Sequence, residues 1–218
     1  MKKSVFLISC AAATAHADSK APVAADVSLG SAYPDAELVV GKDELTVAAS
    51  TTLCEKKPKL CHGPELLVDD DAKTAWCEGL PGDGAGATIT FTFKKAETLE
   101  GFQFLSHFAK SFALAEQNAR PESLTIDTDA GQFTADLEDA VPKVKKENGV
   151  HEVHDPCGCG DETCMSRDER ISTDGVANYV TFPSKVKTKT IVLTLKSAYK
   201  GTKYKDTCAS SISFVRAK

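Results

Sequence analysis

Thr88-Ile89-Thr90-Phe91-Thr92-Phe93 is the stretch on which the fold class turns. Ile89, Phe91 and Phe93 alternate with threonines, so an extended chain carries three apolar side chains on one face and three hydroxyls on the other. A helix would scatter them around its circumference. Thr190 to Lys196 repeats the pattern, with Ile191, Leu193 and Leu195 inward and Val192 marking partial cover of the opposite face. Outward from these, strands are expected over Glu44 to Ala49, Gly101 to Leu105, Ser123 to Asp127, Gln132 to Leu137, Tyr179 to Phe182 and Ser211 to Val215. Asp129-Ala130-Gly131 reads as a hairpin connection, with Gly131 available for a positive φ. No amphipathic helical stretch alternates with the strands, so the pattern predicts an all-β, antiparallel two-sheet sandwich rather than a parallel α/β sheet.

Two regions depart from this pattern. Residues 18–43 mix alanine, proline, serine and aspartate without a sustained period, which suits a linker or loosely docked N-terminal arm. Residues 140–178 are polar, charged and glycine-containing, and show no strand pattern, so they read as a long loop inserted into the domain of residues 44–216. The 218 residues suffice for one sizeable core. A net charge of −5 with no basic concentration removes the electrostatic basis for a nucleic-acid partner.

Lys2 and Lys3, the apolar-to-small run Ser4 to Thr14, and the small-x-small site Ala15-His16-Ala17 make residues 1–17 a signal peptide. The run is about half the ~20 residues of a bilayer-spanning helix, so no transmembrane segment is expected. Leu7-Ile8-Ser9-Cys10 supports a rival reading, in which Cys10 is lipidated and anchors the chain. Both routes export it to the periplasm, the cell surface or the medium. Of eight cysteines, Cys10 is cut away or lipidated in either case, and the odd remainder leaves at least one thiol outside an intramolecular disulfide.

The segment Leu66-Leu67-Val68-Asp69-Asp70-Asp71-Ala72-Lys73-Thr74-Ala75-Trp76-Cys77-Glu78-Gly79 resembles the D-G-D-x-x-T-A-W-x-E-G stretch of discoidin-like, galactose-binding-type sandwiches. Three further stretches follow in the same order. They are Gly84-Ala85-Gly86, then Phe108-Ala109-Lys110-Ser111 with Asn118-Ala119-Arg120-Pro121, then Tyr199-Lys200-Gly201 leading to Asp206-Thr207-Cys208-Ala209-Ser210-Ser211-Ile212. Together they are similar to the NADase-type glycan-binding domain, related to the translocation domain of streptococcal NAD-glycohydrolase. The resemblance implies a jelly-roll sandwich with binding loops at one end and a glycan as partner, without catalysis. It also places the acidic turn beside the last strand, which implies a Cys77–Cys208 disulfide; Cys54–Cys61 is expected to close a small loop before that turn. Spacing alone leaves connectivity open. Asp70 replaces the family's usual glycine, Cys77 an aliphatic residue, and Ser211 a glutamate that helps hold a structural calcium.

Candidate ligand contacts are Glu78, Phe108, Lys110, Asn118 and Arg120, because amides, guanidinium and carboxylate groups match sugar hydroxyls while an aromatic supplies a face. Asp69, Asp71 and Thr74 are candidate calcium ligands, set against the alternative of a turn whose aspartates cap backbone amides. Trp76 is expected to plug the core with its indole N–H satisfied. His151, His154, Cys157, Cys159 and Cys164 form a candidate zinc set, set against a disulfide such as Cys157–Cys164. They define the rival function, an envelope protein that binds metal or a protein partner through residues 140–178. A hydrolase built on the aspartates is a third possibility, without a supporting catalytic motif.

Overall fold

The computed structural model describes residues 21–30, 38–39, 43–56, 59–141, 144–147, 150–153 and 176–218. In chain order its strands are β1 (Val23–Ala24), β2 (Asp26–Gly30), β3 (Leu38–Val39), β4 (Leu45–Ala49), β5 (Cys54–Lys56), β6 (Lys59–Cys61), β7 (Trp76–Cys77) and β8 (Thr88–Leu105). There follow β9 (Arg120–Thr128), β10 (Gly131–Asp136), β11 (Val144–Glu147), β12 (Val150–Val153), β13 (Ala177–Tyr199), β14 (Cys208–Ala209) and β15 (Ser211–Arg216). A 3-10 turn at Pro64–Leu67 and one short helix, α1 (Phe112–Gln117), complete the described elements.

The quoted stretch opens β8, and its alternation holds: Ile89, Phe91 and Phe93 are buried while Thr88, Thr90 and Thr92 are half-buried. The strand does not stop at Phe93. It continues through residues 94–100, mostly polar but with Leu99 in the core, into the segment expected separately over Gly101 to Leu105, and β13 likewise merges two expected strands. Register slips explain how each crosses the molecule. Thr188 faces Glu97 and Thr190 faces Thr92, so residues 93–96 stand against Lys189 alone; residues 182–185 likewise stand against Glu100. Such bulges bend and twist a strand pair, and here they carry both strands from one layer to the other.

The first half of β8 is paired with β4 and the second half of β13, which continues through β9 and β10. The second half of β8 is paired with β15 and the first half of β13, beside which lies β2. The facing layers interlock through aromatic rings. Phe214 on β15 meets Phe91 and Phe93, each with ring centroids 5.1 Å apart, and Phe133 on β10 meets Phe182 at 5.0 Å. Phe91, Phe93, Phe102, Phe104 and Phe214 are all within 1% of full burial, and each such side chain contributes roughly 1.5–3 kcal/mol of transfer free energy. The result is a sandwich of mostly strands.

β9 and β10 form the expected hairpin, with Thr128 opposite Gly131 and Gly131 at φ 145°. Two features differ from the sequence expectation. From the arm, β1 pairs with β10, β2 with β13 and β3 with β15, and Ala25 and Val27 pack on the core. Unpaired sheet edges supply backbone partners that composition does not reveal. Within residues 140–178, β11 and β12 pair as an antiparallel hairpin, where the polar sequence predicts none, and β13 already begins at Ala177. Among the described residues no helix is long and apolar enough to cross a membrane.

Candidate functional site

Four connections gather at one end of the sandwich: the residues before β5, the long link from the 3-10 turn to β8, the link from β8 through α1 to β9, and the link from β13 to β15. The seam between them is a two-residue ladder, β7 against β14, with Cys77 opposite Cys208 and Trp76 opposite Ala209. The Cys77–Cys208 bond closes that ladder, and the Cys54–Cys61 bond closes the β5–β6 hairpin. Trp76 is 1% exposed and its indole N–H donates to the Thr51 carbonyl at 3.1 Å, the core plug expected of it.

Most buried polar side chains belong to this end, the exceptions being Glu97 and Thr188. A buried polar group costs stability unless it is hydrogen-bonded, and here the bonds run between loops. The Thr207 hydroxyl donates to the Asp83 carbonyl at 2.7 Å, the Ala109 N–H to the Ser210 hydroxyl at 2.9 Å, and the Asn178 amide to the Ser106 hydroxyl at 2.9 Å. The loops therefore form one fastened unit.

Four of the five candidate ligand contacts lie inside this unit. Phe108 is 8% exposed; it packs on Ala75, Cys77 and Cys208 and meets His62 edge-on at 5.8 Å. Asn118 caps α1, its side-chain amide donating to the Leu114 carbonyl at 2.9 Å. Arg120 makes a two-pronged ion pair with Asp139, both contacts at 2.9 Å, and donates to the carbonyls of Ala115 and Asn118. Glu78 is fully buried and accepts the N–H groups of Leu80 at 2.5 Å and Thr207 at 3.2 Å. Their polar atoms serve the scaffold. Lys110, just before the helix cap Ser111, is exposed.

Burial raises the Glu78 carboxyl above its ordinary value of 4.5, opposed by the two N–H bonds and assisted by the Asp206 and Asp83 charges. Below pH 4.5 the group is protonated in the folded and unfolded chains alike. As pH climbs, the unfolded chain ionises first, so stability contributed by Glu78 is lost as pH rises through the folded value. In urea unfolding, the advantage of the wild type over Glu78→Gln is expected to shrink as pH rises from about 4 to 7. A gap that is constant with pH would exclude this account.

The acidic turn is built from its own aspartates. Asp69 accepts the Asp71 N–H at 3.0 Å and the Thr74 hydroxyl at 2.8 Å, Asp71 accepts the Lys73 N–H at 2.9 Å, and Asp70 takes φ 62°, where the family has glycine. Calcium wants six to eight oxygens. Both Asp69 carboxylate oxygens and one of Asp71 accept protein hydrogens, and Ser211 offers a hydroxyl where the family has a carboxylate. Among the described residues no three His, Cys, Asp or Glu side chains converge on a metal position. Asp70 and Ser211 do line one cleft, of about 170 Å³, with Leu67, Ala72 and Ile212. That is well under the ~300–1,000 Å³ of enclosed small-molecule sites. Of the candidate zinc set, His154, Cys157, Cys159 and Cys164 lie outside the described residues, and of His151 only the backbone in β12 is described.

Sequence reasoning missed the most outward aromatic of this end. Tyr204 is 39% exposed and is the only exposed aromatic among the described residues. Its loop is pinned to α1. The N–H groups of Thr202, Lys203 and Tyr204 donate to the carbonyls of Glu116 and Gln117, which the short helix leaves open. Gly201 makes the approach possible, since a Cβ there would stand 2.3 Å from the Gln117 carbonyl oxygen. Asp139 was missed too, hidden at the edge of the presumed insertion. For Tyr204 the signal was a tyrosine amid lysines just past Gly201, which alternation ignores.

Comparison with solved structures places this architecture among carbohydrate-binding-module sandwiches. The CBM32-1 and CBM32-2 domains of Clostridium perfringens ZmpB in complex with GalNAc match at TM-score 0.57 and 12% identity, over 93% of this chain and 42% of that one. CBM32-3 from a family 31 glycoside hydrolase of Clostridium perfringens matches at TM-score 0.51 and 16% identity, over 83% of this chain and 95% of that one. At such identities the likeness is one of fold. This chain spans less than half of the ZmpB chain, which carries two such domains. A comparison with curated proteins finds no match. The sequence itself carries the kinship: residues 41–215 fit the family described as NAD glycohydrolase translocation F5/8 type C domain, and the chain belongs to that family.

Proposed function

We propose that this chain is a non-catalytic glycan-binding module acting outside the cytoplasm, and that its loop end holds the sugar. The observation that carries the reading is Tyr204, an exposed ring on a loop pinned to α1 above a floor of buried, hydrogen-bonded side chains. An aromatic face packs against the C–H face of a sugar, and a preformed surface loses little freedom when it binds. Lys110 lies on the neighbouring connection as an exposed donor. The ZmpB domains, solved in complex with GalNAc, support a sugar as the ligand class. Export is supported by the charged and apolar N-terminus and by two disulfides, which persist in oxidising compartments.

A glycan array followed by titration with the best hit tests this reading. Tyr204→Ala is expected to weaken binding by about tenfold or more, as loss of an aromatic anchor does, while leaving the melting temperature unchanged. No binding above an unrelated sandwich, or binding indifferent to Tyr204, rejects it.

A further inference from the structure

We propose that the glycan taken by this loop end is acidic, its sugars carrying carboxylates that are read by Lys203 and its neighbours Lys200 and Lys205. The proposal rests on the glycan reading above and names the ligand class for the same site. In a chain of net charge −5, residues 200–205 hold three lysines around Tyr204, and all three are exposed. Among the described residues none of the three pairs with a carboxylate. The Lys203 ammonium stands 4.8 Å from the centre of the Tyr204 ring. It lies over one face of the ring, so a sugar stacks on the other face, within a Debye length of the charge.

This geometry favours one substituent. A hydroxyl accepts a hydrogen bond from lysine with charge on the donor alone, whereas a carboxylate adds the attraction of opposite charges. Four carboxylates lie close by: Glu116 and Asp83 are exposed, Asp206 is half-buried at the foot of the loop, and Glu78 is buried beneath Thr207. Within residues 200–206 themselves three ammonium groups stand against Asp206 alone, so this loop presents positive charge to an anionic chain. Because the backbone of Thr202, Lys203 and Tyr204 is held by α1, the ring and the lysine spring from a fixed base.

The opposite end of the sandwich supplies an internal control. Lys185, Lys187 and Lys189 alternate with the buried Val186 and Thr188 on β13, and the bulge sets Lys94 and Lys95 beside Lys189. That surface is basic and, among the described residues, has no exposed aromatic. Attraction of a polyanion by charge alone would use it as readily as the loop end.

The test is titration of the folded protein with polygalacturonate and with its fully methyl-esterified form, in which the same sugar backbone carries no charge. Tighter binding of the acid form by about tenfold at low salt, weakening as sodium chloride is raised, is expected. Lys203→Ala/Lys205→Ala should remove most of that preference, and Lys94→Ala/Lys95→Ala/Lys189→Ala should leave it in place. Equal affinity for both polymers, with Tyr204→Ala still weakening each, overturns the acidic class and leaves the glycan reading standing. Loss of the preference in the Lys94/Lys95/Lys189 variant overturns it as well. Failure to bind either polymer, in a protein whose array hits are neutral glycans, also overturns the class alone. Failure to bind any glycan removes both readings.

Discussion

Replacing Cys77 and Cys208 together by alanine is expected to lower the unfolding free energy by about 5 kcal/mol, if the chain-entropy relation for disulfides applies in full. The bond joins residues 131 apart in sequence, whereas Cys54–Cys61 spans 7. The same relation gives about 2 kcal/mol for the shorter loop. The difference between the pairs is the informative quantity, because the cost of truncating a cysteine side chain enters both. A loss of about 5 kcal/mol is a large part of the 5–15 kcal/mol that holds a typical domain folded. Both sulfurs sit in the seam that Phe108 covers, with Cys77 and Cys208 at 1% and 0% exposure, so the variant also loosens the β7–β14 ladder. Urea unfolding of the two double variants decides it. Equal losses would show that the Cys77–Cys208 bond adds no more than the short-loop bond does, because the seam is already held by hydrogen bonds.

Arg120→Met is expected to cost about 3–5 kcal/mol, as breaking one side of a buried ion pair does. Asp139 is then left at 16% side-chain exposure without its partner, and the Ala115 and Asn118 carbonyls lose their donor. Asp139→Leu should cost a comparable amount. The double variant Arg120→Met/Asp139→Leu removes both charges and should recover a good part of the loss, which a double-mutant cycle measures as a coupling energy. Strict additivity of the two single losses would mean that the pair is not coupled. Because Arg120 also holds the C-terminal end of α1, the single variant should weaken glycan binding through the Tyr204 loop at temperatures where the fold survives.

The candidate site shows where sequence reading works and where it stops. Phe108, Asn118, Arg120 and Glu78 were recognisable as members of the loop end from their order in the family-like stretches. Their side-chain direction was not recognisable. A polar residue in a loop has the same local sequence whether it faces solvent or ties two connections together, and only burial with its hydrogen-bond partners separates the cases. Glu78 accepts an N–H from Thr207, 129 residues away, a pairing with no local trace. Arg120 finds Asp139 across the β9–β10 hairpin, where the sequence seemed to be entering an insertion. Tyr204 was overlooked for the reverse reason: an isolated aromatic between lysines carries no period, and its importance comes from α1 fixing its loop.

By itself the sequence determined the strand character of the chain, the inward faces of β8 and β13, the β9–β10 hairpin and the burial of Trp76. These depend on alternation and turn chemistry, which operate over a few residues. Family-like order added the neighbourhood of the acidic turn and the last strand. Tertiary structure alone decided that β8 and β13 cross between layers, that β1, β2 and β3 complete the sheets, and that Phe108 and three polar loop residues turn inward while Tyr204 turns outward. Those outcomes depend on bulges, open sheet edges and hydrogen bonds between residues distant in the chain, and the free energy that selects them exists only once the layers have closed.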